Sequence, residues 1–134
     1  MFIDANVLIH TILGGDRKAI ACLKLIEMIE IGKVTGDTSL LVLDEVAWEV
    51  IKARGKTAAI DSWQKMLSIP KLNVLSLNEN VAFKTPYFMK EYDLEPRDSI
   101  HAATCVLNGI KTIVSFDKDF DKVKELERKT PFDF

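Results

Sequence analysis

Short apolar runs alternate along this chain with helix-length amphipathic stretches, and that alternation constrains its fold more than any other feature. Residues 1–3 are strand-like and stop at Asp4, and residues 33–37, 71–77 (KLNVLSL) and 112–116 (TIVSF) read as three further strands. At least one helical stretch separates each strand from the next. Antiparallel neighbours can be joined by a two-residue turn, whereas parallel neighbours need a crossover, usually a helix. The pattern therefore predicts an α/β sandwich with a mainly parallel sheet. With 134 residues, 48% of them hydrophobic, the chain can bury one proper core, so a single domain over residues 1–134 is expected.

The intervening helices are delimited by punctuation residues. Ala5 to Leu13 forms a short apolar helix broken by Gly14-Gly15. Asp16 to Ile31 follows, with Ile20, Leu23, Ile26 and Ile29 as its expected core stripe and Gly32 as its stop. Thr38-Ser39 offers an N-cap for a helix to about Arg54, whose stripe is Leu43, Val46, Ala47 and Val50 and whose stop is Gly55. Thr57 to Ile69 is a further helix ending before Pro70. Asn80 to Tyr92 is helical in part, with Pro86 expected to kink or interrupt it. Pro96 then opens a helix that Asn108-Gly109 closes. From Lys118 onward both charges abound and only Phe120, Val123 and Leu126 give an apolar face, so no element is assigned there.

Composition excludes several classes. Cys22 and Cys105 are far apart and outside any CxxC pattern, which argues against a disulfide framework or a zinc site and for two buried thiols. The opening Met1-Phe2-Ile3-Asp4 has no basic n-region, and no charge-free run is long enough to cross a bilayer. A soluble, cytoplasmic protein is expected. Eighteen basic residues against twenty acidic ones give a formal charge of -2, so no global positive field announces nucleic acid. A site that gathers carboxylates around a cation can nonetheless be acidic overall.

Two acids, Asp4 and Asp117, each close an apolar strand. In open parallel sheets ligands bind outside the carboxyl ends of the strands, where strand order reverses. Asp98, in the first turn of the Pro96 helix, can supply a third carboxylate that the helix dipole favours. A fourth would come from the middle helix, where Asp44, Glu45 and Glu49 all lie off the apolar stripe and periodicity does not choose among them. Hard oxygen ligands of this kind suit Mg²⁺ or Mn²⁺ while leaving positions for water and a phosphate. Singly, each acid has an ordinary role: Asp4 as a helix cap, Asp98 complementing a helix terminus, Asp117 in an Asx turn, Glu45 on a solvated face. Those roles do not explain two strand-closing acids in one α/β domain.

These residues resemble the PIN domain family, and within it the VapC-like toxins of toxin–antitoxin pairs. FIDANVLI is similar to the family's strand-one signature, which puts its first acid on Asp4 and a supporting amide on Asn6. LLVLDEVAWEV resembles the central helix, with the acid on Glu45; EPRDSIHAAT resembles the segment of the third acid, Asp98; IVSFDKDF resembles the fourth-strand motif, with Ser115 and Asp117. The resemblance implies a three-layer sandwich with a five-stranded sheet flanked by helices, Mg²⁺- or Mn²⁺-dependent cleavage of RNA, homodimerisation and inhibition by a cognate antitoxin. Asp4, Asp98 and Asp117 would hold the metal, Glu45 would orient or deprotonate water, and Asn6 and Ser115 would orient the ligands. The chain departs from the usual pattern at Thr85-Pro86 and in placing Asp119 and Asp121 beside Asp117.

Arg97 and Lys118 flank two of the acids and could touch phosphate, although solvated surface charge is their ordinary role. His10 and His101 are read as non-catalytic. Trp48 and Trp63, with Met66 and Leu67, are read as core or as a partner groove. A HAD-like phosphatase would need a second acid two residues after Asp4, where this chain has Asn6. An RNA-processing nuclease that is not a toxin and a non-catalytic binding module are the remaining alternatives.

Overall fold

The structure, a computed structural model, describes residues 1–134. Five strands form one parallel sheet: β1 (Phe2–Ile3), β2 (Gly36–Ser39), β3 (Leu72–Leu75), β4 (Thr112–Val114) and β5 (Glu127–Lys129). Their spatial order is β3-β2-β1-β4-β5. The chain builds leftward from β1 through β2 to β3, then crosses back to place β4 on the other side of β1. The reversal point, where parallel sheets carry their ligands, thus lies between β1 and β4. Phe2, Ile3, Ile113 and Val114 are fully buried, as expected of central strands covered on both faces.

The helices are α1 (Ala5–Leu13), α2 (Arg17–Glu30), α3 (Leu40–Ser68), α4 (Glu79–Tyr92) and α5 (Pro96–Leu107). Helix α3 has two arms divided at Gly55, whose φ of 85° and ψ of 174° break the helix where the sequence places a stop. Helix α1 packs on α2 and α3, and α4 packs along α5. Val42, Leu43, Val46 and Val50 of the first arm enter the core, with Ala47 half-buried at its edge. Cys22 and Cys105 are free buried thiols. No helix is long and apolar enough to cross a membrane.

Several expectations require correction. The buried residues of α2 are Ala19, Ala21, Cys22, Leu25, Ile26 and Ile29, whereas Ile20 and Leu23 are 62% and 45% exposed. Bulky residues suggest the wrong phase, because small Ala19 and Cys22 permit the close approach. Strand β2 begins at Gly36 rather than Lys33: a side chain at Gly36 would meet Ile29 Cδ1 at 2.9 Å and Leu72 Cδ1 at 3.0 Å. Pro86 interrupts nothing, since α4 runs through it, and the neighbouring Thr85 hydroxyl donates to Val81 O at 2.8 Å. Val81, Thr85 and Phe88 are buried on the same face, so packing holds the helix across the missing donor. Trp48 and Leu67 are exposed and only Met66 of their group is core.

Strand β4 ends at Val114, two residues before the expected boundary, and the tail is ordered. A 3₁₀ turn (Lys118–Lys122), β5 and a second turn (Pro131–Asp133) complete the chain. Arg128 anchors β5 by forking onto Asp121 at 2.7 and 3.0 Å and donating to Ser115 O at 3.1 Å.

Candidate active site

Asp4 follows β1 and is only 5% exposed. Its Oδ1 accepts the Ala5 N–H at 2.7 Å, capping α1, so the ordinary role holds. Its Oδ2 does something a cap does not: it accepts the Asn6 amide at 2.6 Å and the Ser115 hydroxyl at 2.6 Å. Asn6 also donates to Ser115 Oγ at 2.9 Å, and its Oδ1 accepts the Phe116 N–H at 3.2 Å. Ser115 Oγ in turn accepts the Asp117 N–H at 2.9 Å. The ends of β1 and β4, remote from one another in sequence, are thereby tied into one network across the reversal point. Burial raises the Asp4 pKa, against the lowering by His101 and the hydrogen bonds from Ser115 and Ala5.

Glu45, near the start of α3, meets α5 at the same end of the sheet. Its Oε1 lies 2.8 Å from His101 Nε2 and its Oε2 lies 3.9 Å from Arg97. His101 is 1% exposed and also stands 3.9 Å from Asp4 Oδ1, so one imidazole bridges two of the acids. Burial lowers the pKa of this ring, but the hydrogen bond to Glu45 and the charges of Asp4, Glu45 and Asp98 outweigh it and the net shift is upward. His101, read from the sequence only as non-catalytic, therefore braces two of the acids. The available signal is its position three residues after Asp98, which puts both side chains on one helix face.

Asp98 is half-buried in the first turn of α5, and its carboxyl is pushed up to about 6. Burial contributes most, followed by the negative charges of Asp117 and Asp4, with Glu45 adding to them and His101 opposing. The other three acids therefore lie within electrostatic reach of Asp98. Asp117 is not at the strand end itself: it caps the 3₁₀ turn and accepts the Asp119 N–H at 2.9 Å, the Asx arrangement expected of an ordinary turn. Asp119 pairs with Lys122 at 2.8 Å and Asp121 with Arg128, so both neighbours of Asp117 already have cationic partners. The Arg97 side chain is 62% exposed, and Lys118 lies on the turn beside Asp117.

No three acid, histidine or cysteine side chains converge tightly enough to enclose a metal ion on their own. The donor set still fits a hard divalent cation that retains much of its water, as Mg²⁺ does. All the candidate donors are carboxylate oxygens, and their mutual repulsion, which adds to burial in raising the Asp98 carboxyl, is a condition a cation relieves.

The fold and this site define an α/β protein with an acid cluster at the reversal point of a parallel sheet. The chain belongs to the PIN domain family, whose model matches residues 1–126. Ribonuclease VapC2 of Methanocaldococcus jannaschii is 29% identical over 141 aligned positions, covering 95% of this chain and 91% of the relative. Among solved structures, VapBC2 of Rickettsia felis bound to a promoter DNA fragment matches with a TM-score of 0.76 at 16% identity, covering 96% of each chain. VapC20 of Mycobacterium tuberculosis, a sarcin–ricin loop cleaving toxin, matches with a TM-score of 0.71 at 17% identity, over 92% of this chain and 94% of that one. These structures share the three-layer arrangement with its five-stranded parallel sheet.

Proposed function

We propose that this protein is a ribonuclease that cleaves RNA phosphodiester bonds with Mg²⁺ or Mn²⁺, and that it acts as the cytoplasmic toxin of a toxin–antitoxin pair. The observation that carries the reading is the half-buried Asp98 carboxyl, raised by its burial first and then by the charges of Asp117 and Asp4, at the sheet end where β1 and β4 meet. Asp4, Asp98 and Asp117 would hold the cation directly or through water. A bound divalent ion there supplies Lewis acidity toward a phosphoryl oxygen and eases ionisation of a coordinated water. Asn6 and Ser115 hold Asp4 Oδ2 in one orientation by donating to it. Glu45 is the base: its Oε1 is engaged by His101, and Oε2 is the atom that receives a proton from the attacking water. Arg97, beside Glu45, contacts phosphate at the rim.

The names of the relatives support this reading, as does their coverage of almost the whole chain. A cognate antitoxin and a homodimer are the proposed protein partners. Exposed Trp48, Ile51 and Ile60 on the two arms of α3, and the groove among α1, α2 and α3 lined by Ile12, Leu23 and Met66, offer apolar surface for them. The test is cleavage of mixed RNA by the wild type and Asp98→Asn with Mg²⁺, Mn²⁺ or EDTA. Metal-dependent cleavage abolished in the variant supports the proposal; RNA left intact by the wild type with both metals, or cut equally by the variant, refutes it. Relief of growth arrest by a small DNA-binding protein encoded next to this chain tests the toxin assignment.

A further inference from the structure

The acid cluster repels RNA, so a substrate needs attractive contacts beside it. One residue from both Ser115 and Asp117 is Phe116, and a cluster extends from it that the proposed chemistry does not use. The Phe116 ring packs edge-on against His10, with centroids 5.2 Å apart, and lies 6.2 Å from the Phe132 ring. Lys18 Nζ stands 4.9 Å above Phe116 and Arg17 Cζ stands 5.4 Å above Phe132.

Three features separate this cluster from ordinary packing. Phe132 is 48% exposed even with Arg17 over it, so a large aromatic face meets solvent. It is also held firmly, because Pro131 is buried and Thr130 donates its N–H and hydroxyl to Asp133 Oδ2 at 2.6 and 2.8 Å, closing a capping box around the turn. Finally, Arg17 and Lys18 occupy the first turn of α2, the helix end where the dipole disfavours cations. An ordered, exposed aromatic ring with Arg17 over it, next to a second ring that carries Lys18, fits a nucleotide: the exposed ring stacks on a base, and the two cations meet its phosphates.

Resting on the ribonuclease reading, we propose that Phe132, with Arg17 and Lys18, forms a subsite for one unpaired nucleotide of the RNA, next to the position of cleavage. Stacking tolerates any base, so the subsite selects for a single-stranded segment rather than for a sequence.

The experiment titrates the full chain, in EDTA, into a single-stranded RNA 12-mer carrying 2-aminopurine, whose fluorescence is quenched by stacking; a duplex of the same length is the control. Phe132→Leu keeps apolar bulk against α2 without a stacking face, and Phe132→Trp keeps the face. Expected are single-strand binding about tenfold weaker for Phe132→Leu, with quenching abolished, and near wild-type behaviour for Phe132→Trp. In cleavage assays Phe132→Leu raises KM and leaves kcat unchanged. Joint replacement of Arg17 and Lys18 by Gln flattens the dependence of log affinity on log salt by roughly 0.7 for each phosphate no longer neutralised. Equal binding by Phe132→Leu and wild type overturns the subsite, as does weakening that tracks melting temperature and that Trp does not restore. Cleavage by the wild type with unaltered KM in Phe132→Leu sinks the subsite alone. Stacking without any cleavage sinks the ribonuclease reading and leaves the subsite standing.

Discussion

Replacing Asp98 by Asn should make the protein more stable while removing its activity. The carboxyl of Asp98 is raised from an ordinary 3.8 to about 6, so between those values the folded state binds more proton than the unfolded chain does. Stability therefore falls as pH rises through that window, and the full penalty is present above about pH 6. At about 1.4 kcal/mol per pH unit, holding Asp98 ionised costs roughly 3 kcal/mol before screening. Because the group is only half-buried, solvent reduces that to roughly 1–2 kcal/mol. Asn has nearly the same shape and no charge, so it escapes the penalty. Urea denaturation of both proteins in EDTA at about pH 7.5 should find the variant more stable by that amount, and the gap should close toward about pH 3.5, where Asp98 is protonated in both states. Adding Mg²⁺ should then stabilise the wild type and leave the variant unmoved. A variant of equal or lower stability at the higher pH would refute the reasoning, because it would mean that neither burial nor the neighbouring acids penalise the charge on Asp98.

Other substitutions probe separate parts of the structure. His101→Phe fills the same space but leaves Glu45 without its donor, and should cost about 1–3 kcal/mol in denaturation near pH 6. Since the His101 pKa is raised above 6.5, this difference should shrink as pH climbs through the folded value. Joint replacement of Asp119 and Asp121 by Asn should leave the rate of RNA cleavage unchanged, whereas Asp117→Asn should lower it by at least the ~10-fold typical of removing an outer metal-site group. Gly36→Ala should destabilise by about 1–3 kcal/mol in the same urea assay, since its methyl group would press on Ile29, Leu72 and Ile3 inside the sheet layer.

Much of this architecture is legible in the chain because it depends on local rules. Helix α1 matches its expected bounds, Ala5 to Leu13, since an apolar run between Asp4 and Gly14 admits little else. Helix α5 is equally plain, opening on Pro96 and ending at Asn108-Gly109. Strand β5 is illegible: Glu127-Arg128-Lys129 has no apolar alternation, and its place comes from main-chain pairing to β4 and from the Arg128 side chain. Spacing does not decide among Asp44, Glu45 and Glu49 either, because what distinguishes Glu45 is a partner on α5, 56 residues away. Likewise nothing local announces that Asn6 and Ser115 share one oxygen of Asp4.

That shared oxygen divides the acids by task. Asp4 receives hydrogen bonds from Ala5, Asn6 and Ser115, which stabilise its ionised form in a nearly sealed position and fix the direction of its remaining lone pairs. Asp98 is perturbed by burial and then by neighbouring charge, and it is only half-buried, so its oxygens remain available to an outside ligand. A braced acid and an unbraced one, joined at the end of the sheet, combine fixed aim with open binding capacity. The unbraced partner destabilises the apo-protein, and the buried apolar strands Phe2–Ile3 and Ile113–Val114 beneath the site supply the packing that tolerates it. The cost of holding a charge on Asp98, from burial first and repulsion second, is thus what a cation would relieve, which is why stability and activity are expected to move in opposite directions there.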